Sequence, residues 1–162
     1  MNDLGQAAAL AVAHAARLAL YGRQWLGFAE AEEIVQEALI RLLSQRKPPD
    51  DPIAWMYAAV RNGAMDRLRS NTRRRGREQA VASERPEWFE ARLDGGMEAD
   101  AAQMALQSLP REMREIVVLR IWGELGYAAI AQVTGMSIGT AHQRFAEAMK
   151  QLRAALEAKR KV

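Results

Sequence analysis

Apolar residues recur along this chain at helical spacing, broken at a few points by glycine and proline. Leu4, Ala8, Ala11, Ala15, Leu18 and Trp25 follow a period of about 3.6 residues, which predicts one helix over 4–26, ended by Gly27. A second helix is predicted over 29–44, where Ile34, Val35, Ala38, Leu39, Leu42 and Leu43 form a broad apolar stripe. Its start is acidic (Glu30, Glu32, Glu33), and the positive end of a helix dipole favours carboxylates there. Pro48 and Pro49 cannot continue a helix, so "SQRKPPDD" (44–51) reads as a loop. Asp51 then suits an N-cap, with Pro52 in the first turn, where its missing N–H costs nothing. The third helix runs to about residue 73, with Ile53, Met56, Tyr57, Val60, Ala64 and Leu68 on its apolar side.

From Gly76 to Glu98 the periodicity fails, and Pro86 and Gly95-Gly96 punctuate the segment. It reads as a linker, with Trp88 and Phe89 in its middle. Four shorter helices are predicted after it, over 98–108, 110–123, 126–134 and 137–158. The second places Met113, Ile116, Val117 and Ile121 on one packed side. Arg120 sits at the edge, its stem on the core and its head in water. The last two are separated by a turn of a few residues at Gly135, the spacing of a helix-turn-helix. Gly135 suits a left-handed turn, Met136 packs inward, and Ser137 caps the final helix. There, Ile138, Ala141, Phe145, Met149, Leu152 and Leu156 fall on an inner arc. Thr140, Gln143 and Glu147 lie opposite, with Arg144, Ala146 and Lys150 beside them. A helix docked in the major groove by its N-terminal half would offer these side chains to bases and phosphates. Arginine suits guanine, glutamine suits adenine, and glutamate accepts from cytosine. The same spacing also fits a helical hairpin with a polar outer face and no role on DNA.

The fold expected is therefore all-α: two small helical domains, 1–75 and 99–162, joined by a linker over 76–98, the C-terminal one containing the helix-turn-helix. Composition agrees, with 49% apolar and 27% charged residues and only five prolines in 162. The absence of cysteine excludes disulfides and thiolate metal sites. The two histidines, 14 and 142, lie in different domains, and no nucleophile–base pair or metal spacing is visible. No catalytic residue, metal or cofactor is expected. The N-terminal apolar run opens with an acid and is broken by His14 and Arg17, so no signal peptide or membrane insertion is expected, and the protein is placed in the cytoplasm. Net charge is only +3, but residues 61–77 hold seven arginines against Asp66. Residues 84–100 hold six acids against Arg85 and Arg92, so adjacent blocks have opposite sign and suit different partners.

Three segments resemble the sigma-70 family of RNA polymerase sigma factors. "LPREMREIVVLRIWGELGYAAIAQVTGMSIGTAHQRFAEAMKQL" is similar to the family's promoter-binding C-terminal domain, "AEEIVQEALIRLL" (31–43) to its polymerase-binding segment, and "WMYAAVRNGAMDRLRSNTRRR" (55–75) to its −10 segment. Their order and gaps point to the compact extracytoplasmic-function group. The resemblance implies a transcription initiation factor that binds core RNA polymerase, recognises promoter DNA and helps melt the −10 element. Glu33, Ile34, Val35, Gln36 and Glu37 would meet the polymerase, with Glu33, Gln36 and Glu37 pointing outward. Single-stranded −10 DNA would meet Arg61, Asn62, Arg67, Arg69, Arg73 and Arg74 as a basic track, with Trp55 and Tyr57 as ring faces. Trp55 suits a core anchor equally well. The loop 45–51 would shape the pocket for a flipped base. The double-stranded −35 element would meet Ser137, Thr140, His142, Gln143, Arg144, Glu147 and Lys150. The acidic linker residues Glu84, Glu87, Glu90 and Asp94 would thread toward the polymerase cleft, or serve as a bare tether.

An anti-sigma factor is the further partner implied. In two respects the chain departs from the family. Gly126 and Ala129 stand where a capping pair is usual, and the reading helix lacks several expected cations. Weak, salt-sensitive −35 binding by the C-terminal domain alone follows, because phosphate contacts supply most affinity. A decoy that only binds an anti-sigma factor is the alternative; the arginine track argues against it. An ordinary helix-turn-helix repressor would need a dimerisation element, and none is visible.

Overall fold

The computed structural model describes residues 2–77 and 96–161, and among these every regular element is helical. The chain divides into two compact units, Met1–Pro86 and Glu87–Val162. The linker expectations, including Trp88, Phe89 and the acids at 84, 87, 90 and 94, fall outside the described residues.

The first unit holds α1 (Asp3–Ala13), α2 (Ala15–Gly22), α3 (Phe28–Leu43) and α4 (Pro52–Arg77). The single helix expected over 4–26 is thus two. At His14 the backbone turns to ψ 4°, while its N–H still donates to Leu10 O at 3.2 Å and Ala11 O at 3.1 Å. The chain bends there without coming apart. No glycine or proline marks the bend; packing sets it, since both halves lie against α3 and α4. Ala7 and Ala11 are buried from α1, and Leu18, Tyr21 and Gly22 from α2. Trp25 and Leu26 are buried in the turn that follows.

In α3 the buried residues are Ala31, Ile34, Val35, Ala38 and Leu42, spaced as a helical stripe. Asp51 starts α4 by accepting the Ala54 N–H at 3.0 Å, as its position before Pro52 predicts. Met56, Tyr57, Val60 and Ala64 are fully buried from α4. Tyr21 sits edge-on to both Trp25 (centroids 5.1 Å) and Tyr57 (5.3 Å). Each large apolar side chain so buried contributes about 1.5–3 kcal/mol, which makes this cluster the anchor of the unit.

The second unit holds α5 (Gly96–Ser108), α6 (Arg111–Val117), α7 (Tyr127–Thr134) and α8 (Ile138–Arg160); α5, α6 and α7 all pack on α8. A π-helical turn, Val118–Trp122, extends α6. It closes through the Gly123 N–H donating to Val118 O at 3.0 Å. A Cβ at Gly123 would lie 2.5 Å from the Leu119 carbonyl oxygen, so only glycine fits. Leu125 N–H then returns to Leu119 O at 3.1 Å, and Glu124 takes a left-handed φ of 55°.

The wide turn changes which residues face inward. Val118 and Leu119 are buried, and Ile121, expected in the core, is exposed. Arg120 also differs from expectation. Its head is not left to water but donates to Leu125 O at 3.0 Å and lies 4.7 Å from the centroid of the Tyr127 ring.

Candidate nucleic-acid and partner-binding surfaces

The turn before α8 is built as its residues predict. Gly135 adopts φ 78°, and its N–H donates to Ala131 O at 2.8 Å. Ser137 Oγ accepts the Thr140 N–H at 3.1 Å, and its hydroxyl pairs with Thr140 Oγ1 at 2.8 Å. These hydroxyls fix the start of α8. By contrast, α7 begins at Gly126 with no side-chain cap, as the missing capping pair implies.

The inner face of α8 is narrower than the sequence pattern suggests. Ala141, Ala148 and Leu152 are buried, lying within about 40° of one another on the wheel. Phe145 and Met149 are half-buried at the edge, and Ile138, placed inside by periodicity, is 55% exposed. Ile138 shares the side of Phe145 and Met149 on the wheel, but it is the first residue of α8, at the end of the packed stripe.

On the outer side His142, Gln143, Ala146, Glu147 and Lys150 are exposed, and Glu147 accepts from Gln151 at 3.3 Å. Arg144 is half-buried and tied back to α6, with an ion pair to Glu112 at 3.3 Å and a contact to Met136 Sδ at 3.9 Å. The His142 ring lies 4.8 Å from that of Tyr127. Beside them runs an open groove of about 560 Å³, lined in part by Phe145, Met149, Lys150 and Arg153.

In the first unit, Trp55 is half-buried beneath the Arg41 guanidinium, which lies 5.8 Å from the centroid of its ring. Tyr57 is fully buried and offers no ring face, which corrects its assignment as a stacking surface. One face of α4 is core, and Tyr57 falls on it. Arg61 is half-buried, and Asn62, Arg73 and Arg74 are exposed. Arg69 is ion-paired with Asp66 one turn earlier. Arg67 points the other way, toward α3. Its Nη1 meets Glu33 Oε2 at 2.7 Å and its Nη2 meets Glu37 Oε1 at 2.9 Å. The hydrogen bond that Arg67 donates to Glu33 raises the Arg67 pKa above its ordinary value despite partial burial, so the guanidinium stays charged. One turn further, Asn71 Nδ2 donates to Glu30 Oε2 at 3.2 Å.

Along α3, Glu33, Gln36 and Glu37 are exposed, but Ile34 and Val35 are core residues and are not presented to a partner. Ile40, 64% exposed, and Leu43, also exposed, extend the outward face instead. The apolar stripe expected from the sequence includes Leu43 and leaves out Ile40. Their spacing from Gln36, four and seven residues, is the signal that places all three on one side.

Among the described residues no group of three histidines or acids could hold a metal ion, and no helix is long and apolar enough to cross a membrane. The features present are a capped helix after a left-handed glycine turn and, in the other unit, a helix carrying arginines. They define a helix-turn-helix protein with a second helical unit.

Comparison with known proteins agrees. Residues 5–74 match the family described as Sigma-70 region 2, and residues 99–152 match Sigma-70, region 4. The ECF RNA polymerase sigma factor SigE of Mycolicibacterium smegmatis is 32% identical over 135 residues, covering 76% of this chain and 51% of that protein. The ECF RNA polymerase sigma factor SigJ of Mycobacterium tuberculosis is 33% identical over 132 residues, covering 75% and 42%. The chain thus spans about half the length of these curated relatives. Among solved structures, the sigma factor RpoE of Bartonella quintana, crystallised with the anti-sigma factor NepR, superposes with a TM-score of 0.77 at 22% identity. That match covers 97% of this chain and 98% of the other, and shows likeness of fold. The chain belongs to the sigma-70 family of RNA polymerase sigma factors, in its extracytoplasmic-function group.

Proposed function

We propose that this chain is a transcription initiation factor: it joins core RNA polymerase, confers promoter recognition and helps open the −10 element. The observation that carries this reading is the presence of both sigma regions in order, at residues 5–74 and 99–152. On this reading residues 1–75 serve polymerase and −10 binding, 76–98 link, and 99–162 read the −35 element. The chain catalyses no reaction itself; the polymerase supplies the chemistry, in the cytoplasm.

The exposed Glu33, Gln36 and Glu37, continued by Ile40 and Leu43, form the polymerase-facing surface, an acidic and apolar strip suited to a helical partner with basic residues. Arg73 and Arg74, with Asn62, follow the backbone of single-stranded −10 DNA. Trp55 joins them if a base displaces Arg41. On α8, His142, Gln143, Glu147 and Lys150 face the −35 bases, with Ser137 and Thr140 holding the helix start and Arg144 held by Glu112.

The test adds the chain to core polymerase with fragmented genomic DNA and maps transcript starts. Starts sharing upstream motifs that vanish without the chain are expected; none above the core background would overturn the proposal. A decoy that captures an anti-sigma factor is the second reading, favoured by the pairing of Arg67 and Arg144 with carboxylates. RpoE, a protein of like fold, was crystallised with the anti-sigma factor NepR, and CnrH, another, with the cytosolic domain of CnrY. Tight binding of an anti-sigma factor with no promoter-specific transcript would select it.

A further inference from the structure

We propose that Arg67 is a positioning residue of the acidic face of α3 and not a member of the DNA-facing arginine track. This rests on the polymerase-binding reading of that face. Both terminal nitrogens of the guanidinium are engaged, one by each of two carboxylates a helical turn apart on α3. The arginine lies beneath them: its side chain is 27% exposed, against 62% for Glu33 and 57% for Glu37. A residue reaching for phosphate would show the opposite order, with its cation outermost.

Each glutamate gives Arg67 one oxygen, Oε2 of Glu33 and Oε1 of Glu37, leaving its second oxygen to accept from a partner. The result is a fork of two carboxylates held at fixed separation. Free glutamate side chains lose rotamer freedom when a partner orders them, and a fork already ordered avoids much of that loss. Arginine suits the task because its planar head spans two acceptors at once, which a lysine ammonium does not. Asn71 and Glu30 continue the seam one turn along, so α3 and α4 are zipped by polar side chains on this side. The partner surface that fits carries paired basic side chains opposite the fork and apolar ones opposite Ile40 and Leu43.

Affinity of the full chain for core polymerase decides the matter, with binding to a single-stranded oligonucleotide across salt as the second readout. Arg67→Ala is expected to weaken polymerase binding roughly three- to tenfold, the range for losing two exposed ion pairs. Arg67→Lys recovers part of that loss, and in a Glu33→Gln, Glu37→Gln background Arg67→Ala adds nothing. The salt dependence of oligonucleotide binding stays as in the wild type. Arg73→Ala does the reverse, sparing polymerase affinity and lowering the salt slope by about one. An Arg67→Ala chain that binds polymerase normally, or whose salt slope falls as for Arg73→Ala, overturns the assignment. If Arg67→Ala does not melt cooperatively, Arg67→Lys alone decides: a roughly twofold or greater loss supports the fork and no loss overturns it. Failure of the wild type to bind core polymerase would instead sink the proposed function.

Discussion

Tyr57 and Trp55 stand two residues apart near the start of α4, and helix geometry turns them about 200° from each other. Tyr57 enters the cluster with Tyr21, and Trp55 keeps one side open beneath Arg41. Tyr57→Ala should therefore cost about 3–5 kcal/mol of unfolding free energy in denaturant titration, as for a large aromatic removed from a core. Trp55→Ala should cost clearly less; equal losses would show that Trp55 is the anchor. Both rings are visible in the sequence, and periodicity puts Tyr57 on the apolar side of α4; that its ring is closed off entirely depends on where α2 lies, which the pattern on α4 does not say. The same limit hid the pairing of Arg67, whose partners are 34 and 30 residues away. On α8, Glu147 is exposed and bonded only to Gln151 among the described contacts. Glu147→Arg should tighten binding to double-stranded promoter DNA roughly tenfold at low salt and blur base preference. If neither changes in a duplex binding assay, Glu147 does not face DNA.

Among the elements, those governed by local chemistry were legible. Asp51 before Pro52, Gly135 at a left-handed turn and Ser137 at a helix start each act within a few residues. Ser137→Ala should cost about 1 kcal/mol, because one backbone donor loses its acceptor. The π-helical turn was not legible, since "VVLRIWG" is equally consistent with an ordinary helix ending at glycine. Gly123→Ala tests it. With the Leu119 carbonyl in the way, the substitution should cost at least about 2 kcal/mol, more than Ser137→Ala. Hydrogen exchange should show the loss concentrated in α6 and α7. An alanine variant as stable as the wild type would mean the wide turn is dispensable. The bend at His14 was hidden for a related reason: it answers to α3 and α4, and nothing in its own neighbours announces it.

For the whole molecule, the division of labour follows from where free cations remain. Ile138–Lys150 holds two cationic side chains, Arg144, which is paired with Glu112, and the exposed Lys150. Binding of the full chain alone to duplex −35 DNA should then show a slope of about −2 in log K against log salt. A slope of −5 or steeper would place further cations on the duplex. Such sparse charge has a consequence for the cell. A chromosome offers millions of non-specific sites, and a strongly basic reading helix would leave much of a scarce initiation factor adsorbed on them. A chain that grips bulk DNA feebly is not drawn into that sink. Under the proposed function such a chain stays free to compete for polymerase, so small changes in its abundance would pass directly into the number of holoenzymes formed.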